Sequence, residues 1–502
     1  MLFAPAPAQS ADPPILSMRT RDAATLATPA GRVLIGRGKD YTPVGANTDP
    51  EVLADQLSKS MKARRDFAWK VVEALLLPIK VQLPDGGPQV DVPLWQTWYD
   101  GVGPTNETKQ LFTLFFQKLK ANPSADLATT ADQALAEQAT KNLSQSVTAE
   151  NFTATLTQNV GAGISTDLGG QGTTLFSPAF VKHMMVSAKQ VENCKQTGIT
   201  PTTPPPSPTD FSHCIKEFPR EAVMIKTSWK DLAGGIAVHD TSGSAMSALM
   251  SDGTWPGANH PTKKPPLASP PPTSDQIYTN ETADGRKFGL VGIHFVTKDV
   301  RDWVWISLWW SSDSSKDFGA DRPASVASFN GGVWANYKMC VGMAFDETDP
   351  QPWSSYTATQ STLSASIKAV YDTIQTQIDR GITGPIAAGV DDGNFAPGAR
   401  GPWAAPNNKN TTWCTNPFIE VQAANGRTSC IGCHQLVLTE SQGLVPNHGA
   451  ASFFEAMFGF DPQFGRSQNF KNFSADFSWA FQGQFQRVVI PQAKQAAGFS
   501  FP

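Results

Sequence analysis

The sequence predicts an α+β fold in which helical, strand-rich and again helical parts follow one another along 502 residues. Apolar residues recur at helical spacing in the N-terminal third and again near the C-terminus. Between these parts, short runs of Val, Ile, Phe and Trp are bounded by Pro, Gly and Asp, which is typical of strands. We divide the chain into an N-terminal arm (1–48), a mainly helical region (49–215), a sheet-containing region with a proline-rich loop (216–408) and a small all-α domain (409–502).

The arm begins MLFAPAPAQSADPP, which resembles the end of an apolar segment followed by small residues at a cleavage site. We therefore expect a remnant of a signal peptide and a periplasmic or extracellular protein. No later stretch approaches the ~18 uninterrupted apolar residues that a membrane span needs, so no transmembrane segment is predicted. The net charge of -4, with scattered Lys and Arg, argues against a nucleic-acid partner.

The N-terminal third contains the clearest helical patterns. In TDPEVLADQLSKSMKARRDFAWKVVEALLLP, Asp49 is the expected N-cap and Pro50 the first helical residue, and apolar side chains recur at helical spacing beyond them. This predicts one long amphipathic helix with Lys62, Arg64 and Arg65 on the face opposite the core. The segment NETKQLFTLFFQKLK predicts a second helix by the same period.

Three segments of the central region predict strands: EAVMIKTSWK, KFGLVGIHFVTKD and WVWISLWWSS. Alternation along the last one places Trp303, Trp305 and Trp309 on one side and Trp310 on the other. These residues could form an aromatic platform for a polymer or an electron relay, but packing in a core or interface is the interpretation that we favour. A further helix is predicted at 360–380.

Two proline-rich stretches, TPTTPPPSPTD (200–210) and HPTKKPPLASPPPTSD (260–275), interrupt these patterns. Proline lacks an amide donor and has a fixed φ, so neither stretch can continue a helix or a central strand. We interpret both as surface loops or spacers in preference to partner-binding polyproline segments.

The most informative stretch is RTSCIGCHQLVL, in which Cys430, Cys433 and His434 form a C-x-x-C-H pattern. Two thiols at this spacing can add to the two vinyl groups of one haem, while the following imidazole reaches the iron from the same face. This is the haem attachment pattern. A redox dithiol would leave His434 unexplained, and a zinc site would require a second ligand pair that the sequence lacks.

The other four cysteines are an even number and permit two disulfides in an oxidising compartment, where haem attachment of this kind also occurs. Three pairings of Cys194, Cys214, Cys340 and Cys414 are possible. A bridge between Cys194 and Cys214 is the favoured one because it is local. In the chain-entropy model, closing this loop would stabilise the folded protein by roughly 3 kcal/mol.

Helical patterns surround the motif. NPFIEVQAANG has Asn416 as a cap, Pro417 in the first turn and Gly426 as a stop, and SADFSWAFQGQFQRVV continues the pattern near the C-terminus. With CIGCH, these segments resemble a mono-haem cytochrome c domain, and the wider chain is similar to large bacterial cytochrome c family proteins. The resemblance implies one covalent haem c, with thioether bonds to Cys430 and Cys433 and with His434 as the proximal iron ligand.

The second axial ligand stays open in the sequence. Met457 lies in the same domain, although its spacing from the motif is short for this family. His294 lies on an apolar strand and would bring the central region onto the haem. His448 lies on a predicted loop, and an open or water-bound iron is the remaining alternative.

Two functions follow from these observations. The first is electron transfer through haem c with a redox partner protein or a small-molecule donor or acceptor, the upstream regions serving as a docking scaffold. The second is a haem-dependent oxidoreductase, a peroxidase or oxygenase, whose pocket lies between the haem and the upstream regions. The P-loop, dinucleotide-binding and serine-hydrolase signatures do not occur.

Overall fold

The computed structural model describes eleven segments and several isolated residues of the chain. They are 39–81, 90–100, 107–140, 171–197, 217–242, 254–257, 262–281, 286–343, 414–421, 489–499 and parts of 245–249, with residues 260, 426, 430, 460–461 and 466–467. The predicted helix at 360–380, the first proline-rich stretch, and Cys433, His434, His448 and Met457 lie outside the described residues.

The fold combines helices with an antiparallel sheet, as the α+β prediction requires. The helices are α1 (Pro50–Ser58), α2 (Met61–Leu75), α3 (Glu107–Ala121), α4 (Leu127–Thr140), α5 (Pro178–Gln196), α6 (Ala324–Ser328) and α7 (Ile490–Ala497). The strands are β1 (Pro78–Val81), β2 (Val90–Pro93), β3 (Tyr99–Asp100), β4 (Gln171–Phe176), β5 (Val223–Asp231), β6 (Thr279–Glu281), β7 (Lys287–Thr297), β8 (Val304–Trp310), β9 (Tyr337–Gly342), β10 (Phe460–Asp461) and β11 (Arg466–Ser467).

Seven strands form the main sheet in the order β3-β4-β5-β7-β8-β9, with β6 paired to β7 outside this path. The three strands predicted from the central region are confirmed as β5, β7 and β8, and they are direct neighbours. Strands β3 and β4 come from the region that the sequence predicted as mainly helical, and they extend the same sheet. The helical region and the central region therefore share one sheet.

Each face of the sheet packs against a different set of helices. One face carries Ile293, Phe295 and Leu308, which belong to a large apolar cluster with residues of α1 and α2. On the other face, Val296 and Trp305 belong to a second apolar cluster with residues of α3, α5 and α7. Burial of aliphatic and aromatic side chains on both faces is the main stabilising contribution to this architecture.

The predicted long helix at the start of the described chain is two helices. Asp49 caps α1 as expected, because its carboxylate accepts hydrogen bonds from the amides of Glu51 and Val52. The helix ends at Ser58, and Ser60 then caps α2 by accepting a hydrogen bond from the amide of Ala63. Ser is unfavourable inside a helix but favourable as an N-cap. This explains why the helix breaks here although the apolar period continues.

The prediction that Arg64 and Arg65 lie on an exposed face is wrong, since both are 1 % exposed. Arg65 forms a bidentate ion pair with Asp321, with Nε to Oδ2 at 2.6 Å. Its Nη1 also donates to the carbonyl of Met339 in β9, the last strand of the sheet order. The guanidinium therefore joins α2 to the edge of the sheet, a contact that a helical period does not reveal.

All four tryptophans around β8 are buried, between 0 % and 4 % exposed, so core packing is confirmed and an exposed platform is ruled out for them. Trp303 does not belong to the strand. It precedes β8 with a φ of 67°, in the left-handed region that bulky residues rarely adopt. Its ring packs edge-on against Phe218 at 5.2 Å between centroids.

The last described segment packs on the N-terminal helices. Helix α7 lies against α3, where Nζ of Lys109 donates to Oε1 of Gln492 at 2.8 Å and the rings of Phe116 and Phe499 stack at 5.3 Å. Within the described segments, no helix is both long and apolar enough to cross a membrane.

Candidate functional site

Two of the predicted site residues, Cys430 and His294, belong to the described part of the chain. Cys433, His434, Met457 and His448 lie outside it. The segment that leads to the motif is described at residues 414–421, which we call the strap. It contains a single turn at 417–419 instead of the predicted helix, and it lies on the sheet face that carries His294.

A disulfide fixes the first residue of the strap to the sheet. Cys414 is bonded to Cys340 of β9 across a sequence separation of 74, with 5.3 Å between the Cα atoms. This is one of the pairings that the sequence permitted, and it is the one that remains when Cys194 pairs with Cys214. The backbone of Cys194 lies in α5, and Cys214 lies outside the described residues.

Asn416 fixes the middle of the strap. Its Nδ2 donates to Oγ of Ser307 at 3.0 Å and to the carbonyl of Leu308 at 2.8 Å, both in β8. Its Oδ1 accepts from the amide of Phe418 at 2.9 Å, so Asn416 caps the turn at 417–419 and not the helix that the sequence predicted. A Cβ at Gly292 of β7 would lie 2.7 Å from this Oδ1, so the close approach of the strap requires glycine there.

Further contacts hold the strap from both sides. The hydroxyl of Ser228 in β5 donates to the carbonyl of Phe418 at 3.1 Å, and the indole of Trp255 donates to Oγ1 of Thr415 at 2.9 Å. The ring of Phe418 meets His239 edge-on at 4.8 Å between centroids. Together with the disulfide and Asn416, these contacts connect eight residues of chain to three strands of the sheet.

The fourth connection, to β7, joins Glu420 to His294. Oε2 of Glu420 lies 3.3 Å from Nε2 of His294 and accepts a hydrogen bond from the amide of Asn416 at 2.6 Å. Burial raises the pKa of Glu420, but the neighbouring His294 and Lys226 and the Asn416 amide outweigh it, so the pKa lies below its ordinary value. The carboxylate is thus held ionised beside the imidazole.

His294 belongs to a row of directly paired residues that crosses four strands. Its partners are Lys226 of β5 on one side and Ser307 of β8 on the other, and Ser307 is paired with Cys340 of β9. Directly paired residues share a face of the sheet. Because neighbouring strands lie ~4.8 Å apart, His294 is about 10 Å from Cys340 along this row.

The first cysteine of the motif lies at the disulfide end of the strap. The thiol of Cys430 contacts the carbonyl of Cys414 at 3.6 Å, and the side chain is half-buried. It packs against the second apolar cluster and against the first, which reaches this face of the sheet through Cys340 and Cys414. The row, the strap and the start of the C-x-x-C-H motif therefore occupy one side of the sheet.

A thiol can attach a porphyrin and an imidazole can bind iron, so Cys430 and His294 are of the residue types that such a group requires. In the parts of the chain that the structure describes, no group of three or more His, Cys, Asp and Glu could hold a metal ion by itself.

Sequence reasoning missed four contributors to the site. Glu420 reads as an ordinary helix residue, because it lies four positions after Asn416 and a capping box requires a spacing of three. Gly292 and Ser307 have no distinguishing pattern, because their role depends on a segment more than 100 residues away. His239, whose pKa is lowered to about 3 by burial, was also not singled out.

The chain matches no family model, and the searches of curated proteins and of solved structures gave no match.

Proposed function

We propose that this protein is a c-type cytochrome that transfers electrons through one covalently attached haem. The observation that carries the proposal is the C-x-x-C-H motif at 430–434, preceded by a strap that is fixed to the main sheet. A mono-haem domain similar to cytochrome c would begin near this strap. Cys430 and Cys433 would form the thioether bonds, and His434 would bind the iron.

When bound, the haem supplies one-electron chemistry at its iron. The chain contributes a rigid support, because electron transfer is faster when little rearranges with each electron. The disulfide at Cys414, the buried amide of Asn416 and the Glu420–His294 contact restrict the strap at three points. The apolar residues around Cys430 would exclude water from one porphyrin edge.

The same proposal includes an exported location and a redox partner. The Cys340–Cys414 disulfide supports an oxidising compartment, periplasmic or extracellular, because structural disulfides are rare in the cytosol. A redox partner protein or a small-molecule donor or acceptor would exchange electrons with the haem. The large upstream regions would serve as the docking scaffold.

A haem-dependent oxidoreductase, such as a peroxidase or oxygenase, is the second candidate. It is favoured by the polar row on the sheet face, where Lys226 and His294 lie beside the strap. A simple electron carrier does not need such residues, whereas an enzyme could use them to bind substrate or to move protons. In this case the pocket would lie between the haem and the upstream regions.

Acid–acetone extraction of the protein, produced in a host that attaches haem, tests the attachment. We expect the haem to stay with the polypeptide, and we expect the double variant Cys430→Ala, Cys433→Ala to release it. The double variant Cys340→Ala, Cys414→Ala is the matched control, since it also removes two cysteines but should keep the covalent haem. Complete extraction of haem from the unmutated protein would refute the proposed function.

A further inference from the structure

The thiol of Cys430 lies against the residue of the strap that carries the buried disulfide. We propose that Cys430 is a third member of this disulfide. The bridge passes from Cys340–Cys414 to Cys414–Cys430 by thiol–disulfide exchange, and it returns by the same route. This exchange goes beyond the proposed function and is independent of the haem, since it uses only these three cysteines.

The buried position of the bridge limits which thiols can reach it. Cys414 is 0 % exposed and Cys340 is 2 % exposed, so both sulfur atoms are shielded from thiols in solution. Access is one of the factors that set the rate of thiol–disulfide exchange. Cys430 is half-buried, and its side chain packs against the apolar cluster to which both bridged cysteines belong. It therefore has an approach to the bridge that a thiol in solution lacks.

Two consecutive carbonyl groups of the strap lie against the sulfur atoms. The thiol of Cys430 contacts the carbonyl of Cys414 at 3.6 Å, and Sγ of Cys340 lies 3.8 Å from the carbonyl of Thr415. Because the Cys414 carbonyl and the bridged Sγ belong to one residue, Cys430 approaches the bridge to within a side-chain length. Rotation of the Cys430 side chain about its Cα–Cβ bond is the movement that the exchange requires.

These contacts suit both ends of the exchange. In the Cys340–Cys414 form, the thiol of Cys430 has the carbonyl of Cys414 as an acceptor. In the Cys414–Cys430 form, the released thiol of Cys340 would have the carbonyl of Thr415, which already lies beside its sulfur. A thiol is a weak hydrogen-bond donor, so these contacts position the sulfur atoms more than they stabilise either form.

The exchange conserves electrons and requires no outside oxidant. Cys430 loses its proton to solvent, and the resulting thiolate attacks Sγ of Cys414. The bond between the sulfur atoms of Cys414 and Cys340 breaks as the new bond forms, and Cys340 leaves as a thiolate that takes up a proton. One disulfide and one thiol are present before and after the step.

Moving the bridge changes what holds the strap. In the Cys340–Cys414 form, the strap is covalently bonded to β9. In the Cys414–Cys430 form, noncovalent contacts such as those of Asn416 with β8 hold it on the sheet. Cys430 is a thiol only in the first form, so under the proposed function only that form is ready for haem attachment. Attachment would then end the exchange.

Peptide mapping of the full-length chain, produced without haem attachment, tests the exchange. Samples are held at about pH 6 or about pH 8, quenched with N-ethylmaleimide and digested without reduction. We expect a Cys414–Cys430 link and alkylated Cys340 to appear together, roughly a hundredfold faster at the higher pH, because the thiolate share of an ordinary thiol rises about tenfold per pH unit. Recovery of the Cys340–Cys414 link alone at both pH values would overturn the proposal.

Two matched variants identify the attacking thiol. Cys430→Ser should leave Cys340 unalkylated at both pH values, whereas Cys433→Ser, which removes the other motif cysteine, should exchange like the unmutated chain. Alkylation of Cys340 at the unmutated rate in Cys430→Ser would refute the role of Cys430. Links from Cys340 or Cys414 to Cys194 would show scrambling in unfolded molecules and would also refute it. The pH comparison needs no variant, so it decides the question even if Cys430→Ser does not fold.

The proposed function and the exchange fail in different ways. A protein that attaches no haem would refute the proposed function and leave the exchange in the haem-free chain unaffected. A haem-free chain that holds only the Cys340–Cys414 bridge would refute the exchange and leave the cytochrome assignment intact.

Discussion

The side chain of Asn416 lies directly over Gly292, so close that a Cβ atom at residue 292 would be 2.7 Å from its Oδ1. The same amide group donates to Ser307 and Leu308 of the neighbouring strand. One glycine in the middle of β7 therefore allows the strap to lie flat on the sheet. The strap in turn carries Glu420 to His294 and leads to the motif at 430–434.

Gly292→Ala should displace the strap. The added methyl group meets a fixed, fully buried amide, so we expect a loss of roughly 1–3 kcal/mol in the free energy of unfolding, measured by urea denaturation. Gly234→Ala is the control, because a Cβ atom added at that residue would have no other atom within 4 Å. If the two variants are equally stable, the close packing of the strap on β7 is wrong.

Removing the disulfide should destabilise the protein without affecting the motif cysteines. With a sequence separation of 74 between Cys340 and Cys414, the chain-entropy model gives a loss of about 4 kcal/mol for the double variant Cys340→Ser, Cys414→Ser. Non-reduced peptide mapping of the unmutated protein should recover the two cysteines in one linked peptide pair. Recovery of both as free thiols would contradict this pairing.

Arg65→Met should be among the most destabilising single changes. The variant leaves Asp321 as a buried carboxylate without its ion-pair partner and removes a donor from the carbonyl of Met339. We expect a loss of about 3–5 kcal/mol, part of which the double variant Arg65→Met, Asp321→Leu should recover. Lys59→Ala, which breaks an exposed pair with Asp55, should cost less than about 1 kcal/mol. A comparable loss in both single variants would show that Arg65 has no special role.

The stability of the protein should depend on the charge of Asp40. Burial raises the pKa of Asp40 to about 6 even though its carboxylate accepts a hydrogen bond from the amide of Ala179. Because the folded pKa lies above the unfolded value, the stabilisation is present below about pH 4 and is lost as the pH rises through 6. Asp40→Asn should therefore be more stable than the unmutated protein at pH 8, by about 1–2 kcal/mol, and should match it near pH 4.

Thermal unfolding at several pH values measures this difference. Asp126→Asn is the control with the opposite sign, because hydrogen bonds to the carboxylate from Thr129 lower the pKa of Asp126. That variant should show no gain at pH 8. If Asp40→Asn is more stable than the unmutated protein by the same amount at every pH, the difference does not come from ionisation of Asp40.

Local patterns predicted the parts of this fold that depend on local physics. The strands β5, β7 and β8 follow from β-branched and aromatic runs, and the cap at Asp49 follows from a side chain that reaches its own backbone. The break at Ser60 was missed because the apolar period continues across it. A helical period reports which residues are apolar, but the burial of Arg65 depends on a carboxylate 256 positions away.

The candidate site also combines a local sequence pattern with contacts that depend on the fold. The motif at 430–434 is a local pattern and needs no structure to be noticed. Its support comes from residues that are far apart in sequence, since His294, Ser307 and Cys340 meet the strap only after β7, β8 and β9 have paired. No sequence spacing predicts that these residues meet. The role of Glu420 depends on its contact with His294 of β7.

The spectrum of the holoprotein in both oxidation states tests the proposed electron transfer most directly. An electron carrier should keep two axial ligands, so we predict one covalently bound haem whose iron is six-coordinate and low-spin when oxidised and when reduced, with a single reversible one-electron transition. A protein without covalent haem would contradict the proposed function entirely. A five-coordinate, high-spin iron that binds carbon monoxide or peroxide rapidly would contradict electron transfer and favour the haem-dependent oxidoreductase.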